Sequence, residues 1–329
     1  MNARIEQAER LITEILGRPP DSHSRPTGSS ARAIRFVSGN ESVIASLRPS
    51  EQRARLEAEV LTRLSEADAP VPGLVARRGA WIFQQDLGGR RLTEALWDAG
   101  ADQQALMTAA LQSLAAIHAA AAGSGIAGRL ATLGASEAWR QGFAGMPARL
   151  GAGAGLPPPA FDMETAARLL TPRRTALVKW DARPANAMLC DDGAIRWFDW
   201  EHCGVRDPLD DAGWLLGDEF APADGPGVNE ALAALAPETS DGERHAAEQY
   251  LLCFGTLHMS VRLALILTKR AEKGGWRDWQ EVLSQDKVGS TAAAFRRTAN
   301  RAGDWAGRSA VLAPLSPWFH DLAAGCPDE

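Results

Sequence analysis

Residues 177–201 read LVKWDARPANAMLCDDGAIRWFDWE. Two short apolar runs, one ending at Val178 and one at Phe198, read as strands. Between them lies the loop Asp181-Ala182-Arg183-Pro184-Ala185-Asn186. Pro184 stiffens it, because its ring fixes φ. Asp191-Asp192-Gly193 makes a tight turn that folds the second run back, so that Asp199 returns beside Asn186. The side chains of Asp181, Asn186 and Asp199 then converge on one place. Carboxylate and amide oxygens are hard ligands and suit Mg2+, which keeps phosphate and water as its other partners. A carboxylate not needed as a ligand can accept the proton of an attacking hydroxyl. That is the equipment of phosphoryl transfer, where catalysis is positioning plus charge neutralisation.

Upstream, Ile5, Ala8, Ile12 and Ile15 recur at helical spacing, and Gly17, Pro19 and Pro20 end that helix. A polar, turn-rich stretch follows at 21–30. Two strands then alternate apolar and polar residues around a Gly39-Asn40 turn. A helix places Leu56, Val60, Leu61 and Leu64 on one face, and two more strands divide at Arg78-Gly79. Gly88-Gly89 reads as a hinge. The pattern predicts a two-lobed α+β fold: an antiparallel-sheet N-lobe over 1–88, with an N-terminal helix at 1–18, and a larger, mainly helical C-lobe over 89–329. Residues 121–160 are rich in Gly, Ala and Pro, and GAGAGLPPPA at 151–160 reads as loop or linker. The apolar stretch from Tyr250 to Leu267 is broken by His258 and Arg262 and reads as a buried helix, not a membrane span.

Composition bounds the function. The 329 residues are 45% hydrophobic and 23% charged, as in globular proteins, which excludes a disordered or fibrous chain. A net charge of −6 excludes coating of nucleic acid or anionic membrane by bulk charge. The four cysteines show no C-x-x-C pair, which argues against a zinc site or a disulfide framework and for a reducing compartment. Residues 1–20 carry Glu6, Glu9 and Glu14 and do not read as a signal peptide, so a cytoplasmic protein is expected. Lysine occurs only at 179, 269, 273 and 287.

The motifs now accumulate in a recognisable order. K-W-D-A-R-P-A-N followed by W-F-D-W-E resembles the H-G-D-x-x-x-x-N and I-D-W/F-E motifs of the aminoglycoside phosphotransferase and choline kinase group, which has a protein-kinase-like fold. Arg206–Ala212 is similar to that group's G-D-P-x-x-D-L-A. Glu57–Leu64 and Pro70-Val71-Pro72 resemble its helix motif and P-V-P, and Leu111–His118 its L-x-x-L-H. The resemblance covers about residues 24–220.

The resemblance implies an ATP-dependent kinase acting on a hydroxyl of a small molecule: an amino-sugar, sugar, amino alcohol or antibiotic. The carboxylate-rich C-lobe leans toward a cationic acceptor. Asp181 would be the catalytic base and Arg183 would touch the transferred phosphate. Asn186 and Asp199 would hold Mg2+. Ser29 and Ser30 would belong to the loop over the ATP phosphates, and the backbone of Gln85–Leu87 would carry the adenine. The group's strand-three Lys has no counterpart; Arg48, the nearest cation and able to pair with Glu57, would take its place, and Ser46 is an alternative alignment. Lys179 stands where the group has His, and would turn to solvent or pair with Asp199 or Asp211. His118 and Asp211 read as structural, and Asp218-Glu219 as a solvated helix end. The two departures leave a second reading open, a nucleotide-binding switch or scaffold without catalysis.

Overall fold

The computed structural model describes residues 2–26, 33–237, 240–285 and 288–326. Helix α1 (Asn2–Leu16) buries Ala8 and Ile12 against a sheet. Five antiparallel strands make that sheet, in the order β1-β2-β3-β5-β4: β1 (Ser22–Ser24), β2 (Ala33–Ser38), β3 (Glu41–Leu47), β4 (Leu74–Arg78) and β5 (Trp81–Gln85). The two-residue period of a strand splits its side chains between two faces. Ile34, Phe36, Val43, Ala45, Trp81 and Phe83 pack in one cluster with α1. The alternate residues Ala33, Arg35, Ile44, Ser46 and Gln84 line a cleft. Gly39, at φ +62°, turns the predicted hairpin, with Ser38 opposite Glu41. Strand β1 falls in the stretch expected to be turn. Its residues are all exposed, and pairing through backbone groups alone requires no apolar pattern.

Helix α2 (Glu51–Glu66) starts at Ser50, whose side chain accepts from the Arg53 amide, and buries the predicted Val60, Leu61 and Leu64. Glu57, one turn before Leu61, is fully buried as well.

After β5 the chain passes Gly88 and Gly89, at φ +62° and +66°. A Cβ on Gly89 would overlap the Leu189 carbonyl and lie 2.9 Å from Cys190 Cα. Gly89 is therefore a tight crossing onto the C-lobe. There follow β6 (Arg90–Arg91), α3 (Leu92–Leu96) and α4 (Gln103–Ser124). Helices α5 (Glu137–Ala144) and α6 (Met146–Ala154) come next; the expected loop at 151–160 holds only after Ala154, where α6 ends. Helix α6 runs through Gly151 because that residue packs against Leu156 and Pro158 too closely for a side chain: a Cβ would meet Pro158 Cδ at 2.7 Å.

Helix α7 (Met163–Leu169) leads to β7 (Ala176–Val178), β8 (Ala187–Leu189), β9 (Ile195–Trp197) and β10 (Gly204–Arg206). Strand β8 pairs with β6 and β9, and β7 with β10. The rest is helical: α8 (Leu209–Leu216), α9 (Val228–Leu235), α10 (Asp241–Lys273), α11 (Trp279–Gln285), α12 (Ala292–Arg308) and α13 (Ser316–Ala324). Helices α4 and α10 are long and apolar enough to cross a bilayer. Residues Tyr250 to Ser260 of α10 are nevertheless packed inside the C-lobe, as its pattern predicts.

Candidate active site

The site begins where β7 ends. Asp211, in the first turn of α8, accepts from the backbone amides of Lys179 (2.9 Å) and Trp180 (3.1 Å), and His118 Nε2 lies 2.9 Å from the same carboxylate. These bonds hold Trp180 at φ +58°, a left-handed conformation uncommon for a bulky residue. Asp199 is left-handed too, at φ +64°. Backbone strain of this kind persists only where surrounding contacts over-determine it. The Lys179 side chain is fully buried, and its Nζ donates to the Asp199 carbonyl at 2.8 Å. Lys179 thus neither turns to solvent nor pairs with a carboxylate; it ties down the backbone of Asp199.

Pro184–Asn186 forms one 3-10 turn. It brings Asn186 Nδ2 to 2.7 Å from Asp181 Oδ2 and 3.0 Å from the Asp181 carbonyl. The amide nitrogen is fully used, which points Asn186 Oδ1 away from Asp181. Among the described residues nothing bonds to that oxygen.

Arg48 closes the site from the N-lobe. Its Nε and Nη2 donate to Glu57, the latter at 2.6 Å, and its Nη1 lies 2.8 Å from Asp199 Oδ1. The Trp200 amide donates to the same Glu57 at 3.1 Å. One guanidinium therefore joins β3, α2 and the segment after β9. Burial works against its charge, but Asp199 and Glu57 outweigh burial and raise its pKa. Asp199 is lowered in turn: burial opposes the charge, and Arg48 and Lys179 overcome that. The planar guanidinium fork meets both partners with donors on two sides.

Arg183 takes another direction. Its Nε donates to Asp218 at 2.6 Å and its Nη2 lies 3.4 Å from Glu219, which Arg262 clasps at 2.6 and 2.7 Å. Asp218 and Glu219 are fully buried, not a solvated helix end. Burial pushes Glu219 up, yet Arg262 and Arg183 hold it well below the usual carboxylate range. The sequence pattern around 218–219 is acidic and gave no sign of arginines arriving from α10 and from the loop at 183.

The cleft between the lobes holds about 360 Å³. Ala33, Ile44 and Ser46 cover it from the sheet, Met188 and Phe198 face them, and Gln84, Gln85 and Leu87 close one edge. Asn186, Asp199 and Arg48 share this lining; Asp181, Arg183 and Glu57 lie outside it. Ser29 and Ser30 fall outside the described residues. Sequence reading passed over Gln84, Glu201, Arg91 and the Arg35–Asp86 pair (3.1 Å), all in the lining. Strand alternation carried the signal for Arg35, since Ile34 and Phe36 claim the opposite face.

An antiparallel sheet with one helix over a cleft, and below it a loop bearing Asp181 and Asn186 beside Asp199 after β9, define a two-lobed kinase-like phosphotransferase. The phosphotransferase enzyme family, APH, matches residues 24–247, and the chain belongs to that family. Among solved structures it is similar to a choline/ethanolamine kinase family protein from Mesorhizobium loti, at 13% identity and a TM-score of 0.56, over 97% of this chain and 99% of that one. It is similar to the macrolide 2'-phosphotransferase MphH from Brachybacterium faecium, at 17% identity and a TM-score of 0.53, over 84% and 96%. It is also similar to amicoumacin kinase hAmiN, solved with AMP-PNP, Ca2+ and Ami, at 15% identity and a TM-score of 0.54, over 98% and 100%. At such identities the likeness speaks for the fold alone. No curated protein matches the sequence.

Proposed function

We propose that the protein is a cytoplasmic kinase that transfers the γ-phosphoryl group of ATP to a hydroxyl of a small molecule. In this reading residues 1–88 bind the nucleotide and 89–329 bind the acceptor. The observation that carries it is the Arg48–Glu57–Asp199 interlock sharing one cleft with Asn186. A cleft of this size falls within the range of about 300–1,000 Å³ usual for small ligands. The donor set fits Mg2+: Asn186 offers an oxygen whose amide nitrogen is already spent, and Asp199 offers a carboxylate with one oxygen on Arg48. When bound, the metal would neutralise charge on the bridging phosphates.

The chain's own residues do the rest. The backbone of Gln85–Leu87 would receive the base and Arg48 would face the phosphates. Asp181 would orient the acceptor hydroxyl and take its proton as that oxygen bonds to the γ-phosphorus and ADP leaves. Asn186 Nδ2 would fix the carboxylate in position for this. Arg183 would act indirectly, by anchoring the catalytic loop to Asp218 and Glu219. Those carboxylates are committed to arginines, so they supply no argument for a cationic acceptor. The acceptor class is a small hydroxylated molecule such as an amino-sugar, sugar, amino alcohol or antibiotic.

ADP release from ATP and Mg2+, with a panel of hydroxylated amines, sugars and antibiotics, tests the reading. One acceptor should raise ADP release well above the protein alone. Asp181→Asn should then keep nucleotide binding and lose turnover by about 10²–10⁴-fold. If nucleotide binds in magnesium and no acceptor releases ADP, the non-catalytic switch is the better reading.

A further inference from the structure

Gln84 is the last cleft-facing residue of β5, opposite Ile44 on β3 and Leu74 on β4. It is 4% exposed and lines the cleft. Trp81, Ile82 and Phe83 before it are buried and apolar. Among the described residues its side chain makes no hydrogen bond, and its Oε1 is shielded from solvent. Most buried polar groups are paired, and one left without partners costs stability that a Met or Leu in its place would not. Its neighbours are committed. Gln85 Oε1 accepts from the Gly73 amide, and Asp86 is held by Arg35 and Ser42. Among the described residues Gln84 thus keeps a side chain without a hydrogen bond beside Gln85–Leu87, where the base is proposed to lie.

We propose that Gln84 reads the 6-position of a purine, and that its amide allows the protein to take both adenine and guanine nucleotides. This rests on the kinase reading above. An amide carries an acceptor oxygen and two donor hydrogens on one group, and half a turn about its last bond exchanges them. No bond among the described residues fixes that turn. Adenine offers an amino donor at position 6 and guanine a carbonyl acceptor. Oε1 answers the first and Nε2 the second. A fixed donor or acceptor would answer only one base, and an apolar side chain neither. A backbone carbonyl of Gln85–Leu87, where the base is proposed to lie, would accept from a 6-amino group and repel a 6-oxo group, so the amide would matter more for guanine.

Calorimetric binding of ADP, GDP, IDP and purine riboside diphosphate, the last without a 6-substituent, tests this on the full chain. ADP and GDP should bind within about tenfold of each other, a difference near 1.4 kcal/mol or less. Purine riboside diphosphate should bind more weakly than both ADP and IDP. In Gln84→Met, with an unchanged melting temperature, GDP and IDP should weaken by about tenfold more than ADP. A preference for ADP above about a hundredfold in the wild type overturns the inference. So does an equal change, or none, for all four ligands in the variant. The wild-type comparison stands even where the variant does not fold. If no purine nucleotide binds the wild type, the kinase reading falls, and this inference with it.

Discussion

Arg48 carries three contacts that a shorter ammonium would have to divide. Its removal and its replacement should therefore differ in kind. Arg48→Ala leaves Glu57 buried without a counter-charge, and burial already drives that carboxyl upward. Breaking a buried pair from one side costs about 3–5 kcal/mol, so the variant should melt far earlier than the parent. Arg48→Lys restores a charge but not the fork. It should fold with a smaller loss, hold Glu57, and release Asp199. Thermal melting together with nucleotide affinity, with and without magnesium, separates the cases. Equal melting temperatures for the Ala and Lys variants would show that a restored charge without the fork does not hold Glu57, and an Ala variant as stable as the parent would show that the buried pair contributes nothing. Arg48 was legible in the sequence as the only cation near the end of β3. Its third partner was not, because Asp199 lies 151 positions away and only the fold brings the two together.

At the scale of elements, the reading succeeded where local chemistry sets structure. Gly39-Asn40 and Asp191-Asp192-Gly193 turn as their φ preferences require, and the α2 face follows from its apolar spacing. It failed where glycine serves packing and not bending. Helix α6 runs through Gly151, and Gly89 lets the chain cross Leu189 at a distance no side chain permits. No pattern within a window of sequence separates a glycine that breaks from one that fits. Gly89→Ala tests the second case. Its left-handed φ alone costs about 1–2 kcal/mol with a Cβ. Overlap with the Leu189 carbonyl must in addition displace β8, which precedes the turn to β9 and Asp199. The variant should lose melting temperature and nucleotide affinity together. Gly88→Ala, whose Cβ would meet only the Asp191 side chain at 3.6 Å, should cost the strain and leave affinity nearer the parent's. Equal effects at both positions would mean that strain, not the crossing, sets the geometry.

For the molecule as a whole, the C-lobe withdraws charges from water around Arg206 and Asp210. Arg206 is fully buried. Its guanidinium donates to the carbonyls of Leu133, Gly134 and Leu170 and to the Asp210 carboxylate, and Tyr250 donates to Asp210 at 2.7 Å. Burial pushes Asp210 up to about 7, even though Arg206 and Tyr250 pull it down. The folded protein therefore holds this proton more tightly than the unfolded chain, where the carboxyl returns to its ordinary value near 3.8. Between about pH 4 and 7 the native state binds more protons at this position, and stability falls as pH rises. Glu219 and Asp199, held low, act in the opposite sense: their contribution is present above the ordinary carboxylate range and is lost as pH falls. The total curve mixes the two, so the test must be a difference. Asp210→Asn removes the titration and keeps an acceptor for Tyr250. The melting temperature of the parent minus that of this variant should shrink steadily from pH 5 to 7.5, because only the parent loses a bound proton over that interval. A difference that stays flat or widens would mean that Arg206 keeps Asp210 ionised at every pH where the protein is folded.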